Sequence, residues 1–463
     1  MLRFSLSSNR RLTGALLAGS FLIASACTTA SEQRAAAPAV PGASAEMAVP
    51  SAEMATPGFD NLQALADRYV AERKAANVII GVARGRADPV WITSGTLALN
   101  SDVAADDRSI YRIYSMTKPV MGVMAALLIE DGTLALDQPI SDFFPEFKNM
   151  RVLRSRNGGL DDTVPAEREI TIRHLLTHTA GLGYSIIPSG VSQAYRKAGI
   201  TPGTRRFVRP GDGPQPDGLE AFAKKVAEMP LVLQPGTEWS YSISLDLLGA
   251  VFEKATGKPL AALLDERIFT PLGMDDTGFV VPTSENGRLT TNYVVAGAMK
   301  LPMALPVPDG TIVPIDGPPS SEYNEAAKVE SGGGGLASTG ADYITFMHML
   351  TNRGMVDGRQ VLPRAAAELV TSNLLPDGVF YEGDDGYGAG GLVVLTPDSP
   401  EFAGSYGWGG AAGTLASSLP SANASIVLMT QYLPQQAYPL RDELSAAFRA
   451  DMMAMQGTAT AAQ

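Results

Sequence analysis

Ser115-Met116-Thr117-Lys118 opens the stretch on which the reading turns. Behind it Val120–Ile129 is continuously apolar and Asp131-Gly132 is a stop signal, so the segment predicts a helix starting near Ser115. On a helix, positions i and i+3 lie about 60° apart, so the hydroxyl of Ser115 and the amine of Lys118 share a face and can touch. Pro119 falls in the first turn, where its missing N–H costs least. No other lysine in the chain has a serine three residues before it. Alone, the motif also fits a helix N-cap serine with a solvated lysine.

Two later stretches add to it. Glu238-Trp239-Ser240-Tyr241-Ser242-Ile243-Ser244 lies between Pro235-Gly236 and a helix predicted from near Leu245, which puts Tyr241 at a loop-to-helix junction, as a core anchor or a site residue. Gly404 to Thr414, with Trp408-Gly409-Gly410 at its centre, joins two predicted strands with few side chains. That is either a plain hairpin or a place where a ligand reaches the backbone.

Composition removes several classes. The 463 residues are 45% hydrophobic and 18% charged, as in a folded protein of one large or two interlocked domains. Thirty-six Lys plus Arg against forty-eight Asp plus Glu leave a formal charge of -12 with no basic stripe, so nucleic acid is not an expected partner. One cysteine, Cys27, excludes an intrachain disulfide, and three histidines leave few places for a histidine-based triad or a multi-histidine metal site. His174-Leu-Leu-Thr-His178 has zinc-helix spacing, but Leu175 stands where a metalloprotease has its Glu, and no metal is expected. Gly332–Gly335 lacks a following Gly-Lys-Ser/Thr and reads as a flexible connection, and no G-x-S-x-G occurs.

Residues 1–27 read as an export signal: basic Arg3, Arg10 and Arg11, an apolar run Leu12–Ala26, and Ala24-Ser25-Ala26 directly before Cys27. The end is lipobox-like, so lipidation of Cys27 and a membrane anchor are expected, with the protein exported to the periplasm or the outer membrane of a bacterium. Residues 28–58, rich in Ala, Pro and Ser and carrying a tandem heptad at 44–57, read as a tether. The folded part, 59–455, predicts a helix over Phe59–Lys74 and strands Val78–Ala83 and Val90–Gly95. A helical middle follows, then strands Tyr387–Leu395, Phe402–Trp408, Gly413–Ser418 and Ala424–Gln431, and a closing helix Leu440–Met453. This is an α+β pattern: a sheet part from about 59–149 and 310–455, a helical insert at about 150–309, and a fraying tail at 456–463.

In this order the pieces resemble the serine β-lactamase and penicillin-recognising family, its class C branch and the family VIII carboxylesterases on the same fold. The match rests on Ser115-Met-Thr-Lys118, Ile170–Leu182, Pro235-Gly236 before Tyr241, Gly334-Gly335-Leu336 with Ser338-Thr339, and Trp408-Gly409-Gly410. The resemblance implies an antiparallel sheet flanked by helices with an inserted helical domain. It implies Ser115 as nucleophile, Lys118 or Tyr241 as its base, and an oxyanion site from the backbone N–H groups of Ser115 and Ala411. It also implies Trp408, Gly409, Gly410 and Ile243 on the substrate, with no cofactor. Class C enzymes carry Tyr-x-Asn and Lys-Thr-Gly where this chain has Ile243 and Trp408-Gly409-Gly410, which points from lactams toward small esters. Lys197-Ala-Gly199 precedes Tyr241 and is set aside. The alternatives are a class C-like β-lactamase, a DD-peptidase or D-amino-acid amidase, and a non-catalytic lipoprotein that binds cell-wall peptides.

Overall fold

The computed structural model describes residues 58–461 apart from 86–87, 203–210, 299–306, 384 and 396–401. The export segment with Cys27 and the tether up to residue 57 therefore lie outside the described residues.

The chain enters as a helix, Asp60–Ala71, and a hairpin, Asn77–Arg84 with Val90–Gly95. These two strands complete an antiparallel seven-stranded sheet whose order is Gly386–Tyr387, Leu392–Val393, Tyr406–Gly409, Leu415–Leu419, Ala424–Met429, Asn77–Arg84, Val90–Gly95. Both ends of the sequence thus meet in one sheet. The strands are apolar on both faces because both are covered. Ile79, Ala83, Val427 and Met429 belong to the core on one side, and the alternate residues Val78, Ile80, Val82, Ile426 and Leu428 to the core on the other. The second face is closed by Asp60–Ala71 and the helix Leu440–Ala461, the first by Gly340–Thr351 and, further along, Thr117–Glu130.

Thr117–Glu130 is buried around nearly its whole circumference, as its unbroken apolar text requires of a helix packed on all sides. One flank meets the helices Ser244–Thr256 and Arg364–Thr371. Another meets a glycine turn so closely that a Cβ on Gly122 would lie 2.0 Å from the Ala389 carbonyl.

Several expectations change. The predicted strand Tyr387–Leu395 is a hairpin of two short strands, because Gly390 takes the left-handed region (φ 76°) and turns the chain. The insert is less helical than its text suggests: Arg151–Leu153 pairs with Thr163–Pro165, and Asn292–Val295 pairs with Ile312–Asp316 and, in parallel, with Tyr432–Leu433. Asn292–Val295 therefore packs with the sheet part, its Tyr293 and Val295 in the same core as the first and last helices, although it precedes residue 310. The closing helix runs on to Ala461, past Met453 and through most of the stretch expected to fray. Gly332–Gly335 is buried under the helix starts, where a Cβ on Gly332 would lie 2.3 Å from the Leu245 carbonyl, so it is a packed joint and no flexible connection.

Candidate active site

Ser115 sits in a single 3-10 turn, Tyr114–Met116, that feeds directly into Thr117–Glu130. Tyr114, just before it, is held at φ 44°, a region that costs a side-chain-bearing residue energy and persists only where the surroundings enforce it. The enforcing contacts are visible. Thr117 Oγ1 donates to the Tyr114 carbonyl at 2.7 Å and accepts from the Leu336 N–H, while Ile113 N–H donates to the Leu336 carbonyl. The segment ending the glycine run therefore clamps the turn that presents Ser115.

Three side chains converge there. Tyr241 donates through its hydroxyl to Ser115 Oγ at 2.7 Å, and Lys118 Nζ donates to the same oxygen at 3.2 Å. Lys118 is 0% exposed, its Nζ also donates to the Gly333 carbonyl at 2.5 Å, and it lies 4.5 Å from the centre of the Tyr241 ring. The amine is thus held between a carbonyl and a ring face. A serine oxygen that meets both a phenol and an amine has a path on which its proton can leave.

Asp246, in Ser244–Thr256, holds the far side of this path. Its Oδ1 accepts from the Gly333 N–H at 3.0 Å and from Ser331 Oγ at 2.5 Å, so the residue whose carbonyl receives Lys118 is held through its other, preceding peptide. Burial pushes the Asp246 carboxyl up, against the Ser331 hydroxyl, the Lys118 charge and the Gly333 N–H, which pull it down.

His178 is a member of the site that sequence reasoning missed. Spacing alone pairs it with His174, but the helix Ile172–Leu176 has ended and His178 turns to φ 55°, so the two rings do not share a face. His174 closes a capping box with Thr171. His178 instead brackets Tyr241: its carbonyl accepts from the Ser240 N–H at 2.9 Å and its Nδ1 from the Ser242 N–H at 3.2 Å. Its ring lies 4.7 Å from the Tyr241 ring. Burial, aided by the charge of Lys118, holds His178 well below the ordinary histidine range, so the ring is neutral. The third histidine, His348, donates through Nε2 to the Gly85 carbonyl at 2.8 Å and meets the Ser425 hydroxyl through Nδ1 at 3.3 Å, tying its helix to the sheet.

Trp408, on the strand Tyr406–Gly409, stacks on Tyr241 at 6.0 Å between ring centres, and Trp239 does so from its own loop at 6.1 Å. Tyr381 and Tyr387 pack on both indoles. Trp408 is 8% exposed, so little of its ring is open to a ligand. Ile243 does not join the site: it is the residue before Ser244–Thr256, and its side chain, 0% exposed, is part of the main core. Gly409 and Gly410 end their strand, and Ala411 stands exposed in the turn after them with an N–H that donates to none of the described residues. Lys197-Ala-Gly199 merely ends the helix Ser192–Lys197, with Gly199 left-handed at φ 73°. Among the described residues no group of three or more His, Cys, Asp or Glu is placed to hold a metal.

The beta-lactamase family model matches residues 62–450. Esterase EstB of Burkholderia gladioli is 31% identical over 362 residues, covering 76% of this chain and 85% of its own. Protein Rv1367c of Mycobacterium tuberculosis is 33% identical over 377 residues, covering 76% and 87%. Among solved structures, EstCE1, described as a hydrolase with promiscuous acyltransferase activity, superposes with a TM-score of 0.66 at 26% identity over 84% of this chain and 97% of its own. Unliganded simvastatin synthase from Aspergillus terreus, at 22% identity, superposes with a TM-score of 0.67 over 87% and 99% and so shares the fold. A match over most of the chain, an esterase relative of near-full length and the converging serine, lysine and tyrosine lead to one statement: this chain belongs to the beta-lactamase family and is an enzyme of the serine hydrolase type.

Proposed function

We propose that the protein is a carboxylesterase that cleaves small carboxylic esters through an acyl-enzyme on Ser115. The observation that carries the reading is the Ser115 hydroxyl, which meets Tyr241 Oη and Lys118 Nζ at 2.7 and 3.2 Å. Ser115 attacks the ester carbonyl and its proton passes to the Tyr241–Lys118 pair in the form that lacks one proton, a tyrosinate beside an ammonium or a phenol beside a neutral amine; the intermediate then collapses as the alcohol leaves with that proton from the same pair. Water then repeats the sequence on the acyl-enzyme and releases the acid. The developing oxyanion is taken by the N–H groups of Ser115 and Ala411.

Esters are favoured over lactams by what surrounds Tyr241. A β-lactam antibiotic carries a carboxylate, and the residues packed on Tyr241 from the sheet side are Trp408, Tyr381 and Tyr387, with no cation among them. An unpaired carboxylate in such surroundings costs about 1–3 kcal/mol or more, which lowers kcat/KM by roughly 10–10² or beyond. Esterase EstB supports the same direction. A panel of chromogenic esters run beside a chromogenic cephalosporin tests it, with Ser115→Ala as control. The expected result is ester turnover and fluorophosphonate labelling that both vanish in Ser115→Ala, and slow cephalosporin opening. A cephalosporin hydrolysed as efficiently as the best ester overturns the esterase reading.

A further inference from the structure

Gly409 and Gly410 each make room for something different. A Cβ on Gly409 would lie 2.5 Å from the guanidinium carbon of Arg441, in the first turn of the closing helix Leu440–Ala461. A Cβ on Gly410 would lie 2.4 Å from the carbonyl of Ile113, two residues before Ser115. One glycine thus admits an arginine from behind the strand, and the next admits the nucleophile turn in front of it.

The arginine uses that room. Arg441 Nη2 donates to the Gly410 carbonyl at 2.7 Å and to the Thr414 carbonyl at 2.7 Å, closing the two sides of the turn onto one nitrogen. The Gly410–Ala411 peptide is trans, and the C=O and N–H of a trans peptide point in opposite directions. Holding the carbonyl therefore also fixes the direction of the Ala411 N–H. A cation on the carbonyl withdraws electron density through the amide and makes that N–H a stronger donor. Burial lowers Arg441 to about 10, still high enough to keep it charged at neutral pH.

We propose that Arg441 is a positioning residue for catalysis: it grips the Gly410 carbonyl so that the Ala411 N–H is aimed and polarised as an oxyanion donor. The inference rests on the acyl-enzyme reading above, and it explains Gly409 as the residue that lets the arginine in. Arg441 touches no substrate atom; it acts through one peptide bond.

The test pairs an oxo-ester with its thiono-ester, whose sulfur is a poor hydrogen-bond acceptor, in wild type, Arg441→Ala and Arg441→Lys. For the oxo-ester, Arg441→Ala is expected to lower kcat roughly 10–10²-fold, less than outright loss of a donor, with KM changing less than about threefold. The penalty on the thiono-ester is expected to be at least about fivefold smaller, because that transition state draws little on the N–H. Added guanidinium ion, but not urea, is expected to restore part of the Arg441→Ala rate. Equal penalties on both esters, in a variant with wild-type circular dichroism, overturn the proposal. If Arg441→Ala does not fold, Arg441→Lys carries the comparison: it keeps a charge but reaches less far, and an oxo-ester penalty no larger than its thiono-ester penalty overturns the proposal equally. Fluorophosphonate labelling separates the two failures. A wild-type chain unlabelled at Ser115 removes the acyl-enzyme reading and this one with it, whereas labelling with equal penalties removes the arginine alone.

Discussion

Replacing His178 by alanine should damage both stability and turnover, although the residue touches neither Ser115 nor Lys118. The imidazole Nδ1 is the acceptor for the Ser242 N–H at 3.2 Å, and Ser242 is buried, so removal leaves a buried donor unsatisfied at a cost of about 1–3 kcal/mol. The ring contact with Tyr241 at 4.7 Å adds about 0.5–1.5 kcal/mol. Of the two backbone N–H groups that flank Tyr241, only that of Ser240 then keeps its partner, and freeing the hydroxyl by an ångström from a 2.7 Å contact should cost about 10–10²-fold in kcat. Asparagine is the discriminating control. It tolerates φ near 55° better than most residues, and its Oδ1 can stand in for Nδ1. Steady-state ester hydrolysis and thermal melts on both variants decide the matter: His178→Asn should retain turnover within about fivefold while His178→Ala does not. Wild-type kcat in His178→Ala, or His178→Asn as impaired as His178→Ala, would refute the bracket.

Tyr241→Phe and Lys118→Ala should each lower kcat by about 10²–10⁴, and the double variant by little more than the worse single one, since both serve one proton path; single-turnover acylation of the three variants checks it. Asp316→Ala should cost about 3–5 kcal/mol in urea unfolding, because Arg112, fully buried, pairs with that carboxylate and would be left as an uncompensated charge. Burial holds His178 well below its ordinary value and His174 at about 4, so below about pH 6.5 the unfolded chain binds protons there that the folded one refuses. Stability should thus be full above pH 7 and fall by about 1.4 kcal/mol per pH unit per histidine as pH drops below 6.5, a slope that His178→Asn should reduce in pH-dependent unfolding. Anchoring through Cys27 predicts a diacyl or triacyl mass addition on membrane-extracted protein, and a Cys27→Ser chain without it.

Ser115, Lys118 and Tyr241 were legible because each sits at a helix start, where spacing and stop signals carry geometric information. His178 was not, since its part depends on backbone groups more than sixty residues away, and its helical spacing to His174 suggested a partnership that a positive φ dissolves. Arg441 was hidden for the same reason: nothing in the first turn of a helix announces that its guanidinium reaches the turn after Trp408. Ile243 was assigned by position in a motif, and an apolar side chain just before a buried helix goes to the core instead. The glycine runs misled twice. Gly332–Gly335 looked loose, yet at Gly332, Gly333 and Gly335 the neighbours Leu245, Asp246 and Phe279 leave no room for a Cβ, and Gly388–Gly391 hid a turn inside an apolar stretch.

The placing of the indoles makes the protein its own indicator. Of three tryptophans, Trp239 and Trp408 both stack on Tyr241, while Trp91 lies on the sheet against Gly81 and Gly340. Two thirds of the emitters therefore stand within about 6 Å of the phenol that the proposed mechanism uses to pass the serine proton. Ultraviolet emission should respond to charge at that phenol and to a group arriving on Ser115, so a stopped-flow trace without any dye can time acylation separately from water's return. A Trp91→Phe background would leave only the two reporting rings.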